Sequence, residues 1–195
     1  MVQPITLDTN TVIGYVALGS NLSSRTQKPT DILDSAISAM AESGLDVTSR
    51  SSYIQSPAFP PGAGPEYINA VVAVMTQLSA GEVLERLHGI EAAFGRVRRE
   101  RWGARILDLD LLSLGQQILP DRETHDVWAA VPLEDQRRMT PDRLILPHPR
   151  IAERAFVLVP LAEIAPDWLH PTIGRTATEL RDALPAETLD AIKLL

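Results

Sequence analysis

"YINAVVAVMTQLSAGEVLERLHGIEAAFG", residues 67 to 95, carries two periodicities in succession. Over 67 to 78 the run is almost wholly apolar and rich in β-branched residues, which predicts a strand. Alternation places Tyr67 and Asn69 on the face of Val71 and Ala73, so a polar end leads into an apolar middle. "SAGE" (79 to 82) then has the form of a capping box, and Val83, Leu87, Ile90 and Phe94 recur at helical spacing before Gly95. A strand therefore runs directly into an amphipathic helix.

Upstream, "TVIGYVAL" (11 to 18) reads as a buried first strand. It is ended by "GSN" (19 to 21), small polar residues that suit a turn with exposed backbone N–H groups. Pro29 and Thr30 precede a helical spacing of Leu33, Ala36, Ile37 and Met40, with Gly44 as the stop. "DVTSRSSYIQS" (46 to 56) alternates and predicts one strand, followed by the proline-rich loop "PAFPPGAGPE" (57 to 66), which can form no ladder. Downstream, residues 105 to 114 predict a strand and "GQQIL" (115 to 119) the continuation of a hairpin. The order β-α-β-β-α-β with short connections is that of a ferredoxin-like unit, an α+β sandwich with helices packed on one face of an antiparallel sheet.

Residues 120 to 143 are polar and charged without clear periodicity and read as an insertion within a single domain spanning 1 to 195. Apolar order returns in "RLILPHPRIAERAFVLVPLAEIAPDW" (143 to 168) with a short strand, a Pro-His-Pro turn and a helical turn. The tail from Thr176 to Leu194 reads as amphipathic helix broken at Pro185.

A composition of 45% hydrophobic and 22% charged residues is that of a globular protein, and no run approaches a membrane span. The first residues have neither a basic nor an apolar leader region, which predicts a cytoplasmic protein. The absence of cysteine excludes disulfides, thiolate nucleophiles and zinc–thiolate sites. A net charge of -7 argues against general affinity for nucleic acid or anionic membrane. That balance reverses locally in "GRVRRERWGAR", where Arg96, Arg98, Arg99, Arg101 and Arg105 meet one acid, Glu100.

The arginines lead straight into "RILDLDLL" (105 to 112). Leu107, Leu109 and Leu111 fall on one face, which is core, and Asp108 and Asp110 on the other with Ile106 and Leu112. Two adjacent carboxylates oppose joint ionisation and cannot be buried unpaired, so their face must look into a space that holds water or cations. A solvated edge pair is the ordinary explanation of Asp-x-Asp. The arginines beside it favour another, because Mg²⁺ is held by one or two carboxylates plus substrate phosphates, and guanidinium groups pair bidentately with phosphates. His148 between two prolines suits a positioned donor as well as a simple turn. Trp102, a large aromatic in a charged loop, suits a cover over a planar ligand.

"GSN" (19 to 21), "GPEYINAVV" (64 to 72), "GRVRRERWGARILDLDLL" (95 to 112) and "LPHPRIAERAFVLVPLAEIAP" (146 to 166) together resemble the 6-hydroxymethyl-7,8-dihydropterin pyrophosphokinase family of folate biosynthesis. The resemblance runs in order from about residue 12 to about residue 168, around the core pattern Arg-Trp-Gly-x-Arg-x-x-Asp-x-Asp. It implies transfer of the β,γ-pyrophosphate of ATP to a reduced hydroxymethylpterin with release of AMP. It also implies that Asp108 and Asp110 hold two Mg²⁺ ions. By the same resemblance Arg96, Arg98, Arg105, His148 and Arg154 contact ATP or the migrating group, Arg96 and Arg105 being the catalytic pair, and Glu91 lies beside the nucleotide. Tyr67 and Phe156 match the aromatics that sandwich the pterin, and Asn69 the residue that reads its edge. Ser56, Pro57, Ala58 and Phe59 match a segment whose backbone meets the pterin, although some relatives carry Thr-Pro-Pro there. Trp102 matches a residue that closes over the site, and Ala104 replaces a common proline beside it. ATP and the pterin are the implied partners, with a monomer expected.

Two other classes use the same elements. Ferredoxin-like palms with paired aspartates occur in nucleotidyltransferases, which attack the α-phosphorus and release pyrophosphate. A non-catalytic ligand-sensing module would leave both aspartates merely solvated and show no Mg²⁺-dependent turnover.

Overall fold

A computed structural model of the chain describes residues 10–22, 27–58, 64–95, 106–132, 135 and 139–195. At the middle of its sheet lies β4 (Tyr67–Thr76), antiparallel to β1 (Val12–Ser20) on one side. On the other side it pairs with β2 (Asp46–Arg50) and β3 (Ile54–Ser56). The outer edge of β1 takes β5 (Asp108–Leu114), and β3 takes the short β6 (Lys193–Leu194). The sheet order β5-β1-β4-β3 is that of a ferredoxin-like unit, with β2 and β3 together as its second strand.

The α-helices that lie wholly within the described residues are α1 (Pro29–Glu42), α2 (Ala80–Ala93), α3 (Arg122–Ala130), α4 (Ala155–Ile164), α5 (Ala177–Asp182) and α6 (Ala186–Asp190). The "SAGE" box closes as expected. Ser79 Oγ accepts from the Glu82 N–H at 3.4 Å and the Glu82 carboxylate from the Ser79 N–H at 2.8 Å. Gly44 and Gly95 follow α1 and α2 with φ of 81° and 80°, a conformation that favours glycine. The two helices lay Leu33, Ala36, Met40, Val83, Leu87 and Ile90 against Val16, Leu18, Val72, Leu109 and Leu111 of the sheet.

Helices cover both faces rather than one. Below the sheet, Val157, Leu158 and Leu161 of α4 and Leu180 of α5 pack on Val71 and Leu112. The reason lies in β4, where Val71 and Val72 point to opposite faces and both are fully buried. A strand apolar on both sides needs a layer on each, and residues 155 to 180 supply the second.

The structure departs from expectation at five further places. Residues 46 to 56 form two strands, because at Ser51 the side chain intervenes: its Oγ accepts from the Val71 N–H at 3.0 Å. Glu163 of α4 then takes the Ser52 N–H and hydroxyl, each at 2.9 Å. "GSN" is no open turn, since β1 runs on to Ser20, and Ser20 and Asn21 are buried. The Asn21 amide donates to the Pro65 carbonyl at 3.2 Å, tying the end of β1 to the proline loop.

After Gly115 the chain does not return along β5, because Leu119 bridges Leu146 instead. The stretch 120 to 143 contains a helix, α3, whose N-cap Asp121 accepts from the Thr124 N–H at 2.8 Å. Its one buried side chain is a histidine, His125, so no apolar stripe announces it. The tail is helical and broken at Pro185 as read, but ends in β6 instead of helix. Among the described residues no helix is long and apolar enough to cross a membrane.

Candidate active site

Three strands build one row of residues across the sheet. Asn69 of β4 pairs with Gly19 of β1, and Gly19 pairs on its other side with Asp108 of β5. Paired residues share a face, so Asn69 and Asp108 stand on the same surface two strand spacings apart, about 10 Å. The residue between them has no side chain. Val71, Ala17 and Asp110 form a neighbouring row. This is the face of α4, beyond the point where Leu112 and Val71 are covered by it.

The bare position is shaped by its neighbours. A Cβ on Gly19 would lie 3.1 Å from Asn69 Oδ1 and 3.7 Å from Tyr67 Cδ1, so a larger residue would push both side chains away. Asn69 is held from behind. Its amide nitrogen donates to Ser56 Oγ at 2.9 Å and more weakly to the Tyr67 carbonyl at 3.5 Å, which leaves Oδ1 on the Gly19 side as an acceptor. Ser56 and Ala58 are buried, whereas Pro57 is exposed.

On the other flank, Arg154 at the start of α4 approaches Asp110, with Nη1 3.7 Å from Oδ2. Its guanidinium carbon also lies 5.6 Å from the ring centre of Phe156. A partly exposed pair at this separation contributes little to stability. Its consequence is positional, since one cation stands between a carboxylate and an aromatic ring. Leu107, Leu109 and Leu111 are buried against α1 and α2 as their alternation predicts.

Glu91 of α2 is buried, and its Oε1 accepts the Leu109 N–H at 2.8 Å. Leu109 lies between the two aspartates on a strand that is the edge of the sheet among the described residues. Glu91 thus closes the edge of β5 where the aspartates project from it. Replacing it by leucine is expected to lower stability by about 1–3 kcal/mol, because the Leu109 N–H loses this acceptor in a buried setting. Glutamine, which keeps the carbonyl oxygen as an acceptor, is expected to recover most of that loss, as urea unfolding of the two variants would show.

His148 is placed by its own backbone, whose N–H donates to the Leu112 carbonyl at the end of β5 at 2.7 Å. Ring Nδ1 accepts the Arg150 N–H at 3.1 Å, so the neutral ring carries its proton on Nε2. Burial, then the Arg154 guanidinium, push its pKa down to about 3. His170 is likewise pushed down to about 4, by burial and then by His125. Both folded values lie below the ordinary 6.5, so the folded state binds fewer protons than the unfolded one as pH falls. Stability is therefore full above about pH 6.5 and is lost progressively towards pH 4. The urea midpoint is expected to fall over that range, and to fall less steeply in His148→Gln and His170→Gln.

The structure brings Tyr67, Asn69, Ser56 and Ala58 together on one side of Gly19, and Asp108, Asp110, Arg154, Phe156 and His148 on the other. Phe59, Arg96, Arg98, Trp102 and Arg105 lie outside the described residues. Sequence reading missed Gly19 as a site position, although "GSN" contained it. It also missed Arg150 and His125, which hold the turn around His148.

One face of the antiparallel α+β sheet thus collects adjacent carboxylates, a guanidinium and a side-chain-free strip on a ferredoxin-like core. The sequence matches the family described as 7,8-dihydro-6-hydroxymethylpterin-pyrophosphokinase over residues 15–166. It is 40% identical over 169 residues to the 2-amino-4-hydroxy-6-hydroxymethyldihydropteridine pyrophosphokinase of Synechocystis sp., covering 85% of this chain and 72% of that one. It is 36% identical over 170 residues to the protein of the same name from Haemophilus influenzae, covering 87% and 91%. A solved Plasmodium falciparum HPPK-DHPS chain has the same fold, with a TM-score of 0.65 at 14% identity over 97% of this chain and 48% of that one. The chain thus spans under half the length of that solved chain, whose likeness bears on fold alone. The chain belongs to the 7,8-dihydro-6-hydroxymethylpterin-pyrophosphokinase family, enzymes that transfer pyrophosphate from ATP to hydroxymethyldihydropterin in folate synthesis.

Proposed function

We propose that this chain catalyses that transfer on the Asn69–Gly19–Asp108 face. The hydroxymethyl oxygen releases its proton to solvent and bonds to the β-phosphorus of ATP, the bond from that phosphorus to the α,β-bridging oxygen breaks, and AMP leaves. The observation that carries the reading is the row itself. It sets the Asn69 amide about 10 Å from the Asp108 carboxylate with Gly19, which has no side chain, between them, and this supports a flat bicyclic ring over the strip with its hydroxymethyl group towards the aspartates.

Asn69 Oδ1 accepts from the N–H groups of the pterin edge, and Tyr67 and Phe156 flank its ring. The backbone of Ser56, Pro57, Ala58 and Phe59 completes that side. Asp108 and Asp110 offer hard oxygen donors on one face of β5 and fit Mg²⁺, two ions by family resemblance. Mg²⁺ held there supplies neutralisation of polyphosphate charge. Arg154 and the Nε2–H of His148 donate to phosphate oxygens, joined by Arg96, Arg98 and Arg105, while Trp102 covers the nucleotide and Glu91 braces β5 beside it. We further propose that the chain acts as a monomer in the cytoplasm, as one domain over 1 to 195 with 120 to 143 as an insertion.

Turnover of ATP with the reduced hydroxymethylpterin is expected to stop when divalent cations are chelated and to return with added Mg²⁺. Turnover indifferent to chelation would contradict the role given to Asp108 and Asp110.

A further inference from the structure

Helix α3 lies in the insertion; Arg122 at its start donates to the Thr172 carbonyl at 2.9 Å, and its contacts through His125 and Ala129 converge on the turn 147 to 150. His125 Nε2 lies 3.1 Å from the Pro147 carbonyl and donates to it. The Arg150 guanidinium crosses to the end of the helix, where it donates to the Ala129 carbonyl at 3.4 Å and to the Val131 carbonyl. Those are carbonyls that the helix cannot pair internally, and a cation there also meets the negative end of the helix dipole. Glu153 holds the same guanidinium from the other side at 3.2 Å. The two strands of chain that frame α3 are joined where Leu119 and Leu146 exchange backbone hydrogen bonds of 2.8 and 3.1 Å.

His125 is 2% exposed and Arg150 7% exposed, so these are built contacts and not solvent-facing ones. Between Pro147 and Arg150 stands His148. Arg150 reaches it directly, since its backbone N–H is the donor that occupies His148 Nδ1. The same residue therefore grips the helix with its side chain and orients the imidazole with its backbone.

We propose that α3 is a strut for the nucleotide side of the site, with His125 and Arg150 as positioning residues that act through His148. This rests on the reading above that His148 donates to the polyphosphate of ATP. Without the strut the Pro-His-Pro turn keeps its prolines but loses its fixed height over the end of β5, and the Nε2–H of His148 no longer meets one phosphate oxygen reproducibly. One lost or misaligned hydrogen bond of this kind weakens nucleotide binding roughly five- to tenfold.

The test is a double-mutant cycle read by calorimetric binding of a nonhydrolysable ATP analogue with Mg²⁺ to the full chain, below the unfolding temperature of each variant. His125→Leu removes the donor to Pro147, and His125→Gln retains an N–H that can reach it. The expected result is a roughly five- to tenfold higher Kd in His125→Leu, restoration in His125→Gln, and an unchanged control in Val127→Ser on the exposed side of α3. In His148→Ala the further change His125→Leu is expected to add nothing, because His125 acts through the ring that is gone. If the two changes multiply, or if folded His125→Leu binds the analogue as the parent does, the strut is refuted while the reading of the site stands. If His148→Ala itself leaves the Kd unchanged, His148 makes no nucleotide contact and both fall. Should His125→Leu fail to fold, Arg150→Gln against Arg150→Ala in the same cycle decides between the same outcomes.

Discussion

Asp108→Ala and Asp110→Ala are each expected to lower kcat by on the order of 10²–10³, with the fold intact. Both carboxylates project from the face of β5 that α1 and α2 do not touch, while Leu107, Leu109 and Leu111 anchor the strand from the other. Removing Asp110 gives up a 3.7 Å ion pair with Arg154 at a partly exposed position, which is worth about 0–1 kcal/mol. The unfolding temperature should therefore move little. Asparagine keeps the shape but not the charge, so it should lose nearly as much activity as alanine, by a role in holding cations. Steady-state kinetics and thermal unfolding on the same preparations check this. A large stability loss with activity proportional to the folded fraction would instead make the pair a structural feature.

The second large effect is expected at Gly19. Gly19→Ala places a methyl 3.1 Å from Asn69 Oδ1, and Gly19→Val places two further carbons over the strip, where Tyr67 Cδ1 is already near at 3.7 Å. Pterin affinity is expected to fall roughly tenfold for alanine and on the order of a hundredfold or more for valine, as an obstructed apolar floor and a displaced hydrogen-bonding group add. Nucleotide affinity, if the nucleotide occupies the far flank as proposed, should change much less. Calorimetric titrations with pterin and with an ATP analogue separate the two. Equal losses for both ligands would show that the change unsettles β1 and does not merely fill the strip.

Gly19 also illustrates what a sequence of this kind discloses. The pairing of "YINAVVAVMTQL" with a capping box was legible because two local periodicities and a cap are written in adjacent residues. The two aspartates were legible because alternation alone puts them on the face opposite three leucines. That Gly19 lies between Asn69 and Asp108 was not, since register couples residues 50 and 89 positions apart and no local pattern records it.

The second helical layer had a signal that alternation obscured. The run Ala70 to Val74 is apolar at every position, which a half-exposed strand would not be. Helix α3 was hidden for a different reason, because what it buries is a histidine, and polar contacts to Pro147 and Arg150 take the place of an apolar stripe. Asp121 three residues before Thr124, with Arg122 and Asp126 one helical turn apart, was the available clue. The break between β2 and β3 left only the hydroxyl cluster at Ser51 and Ser52, whose partners Val71 and Glu163 are distant in the chain.

On the proposed mechanism the β-phosphorus of ATP is attacked at this face. Purified protein incubated with Mg²⁺, the reduced hydroxymethylpterin and ATP labelled separately in its α- and γ-phosphates tests it most directly. One AMP carrying the α-label is expected for each pterin diphosphate carrying the γ-label, with no free pyrophosphate and no ADP. Release of pyrophosphate with the α-label retained on the acceptor would instead mean attack at the α-phosphorus, and the chain would be a nucleotidyltransferase on the same fold.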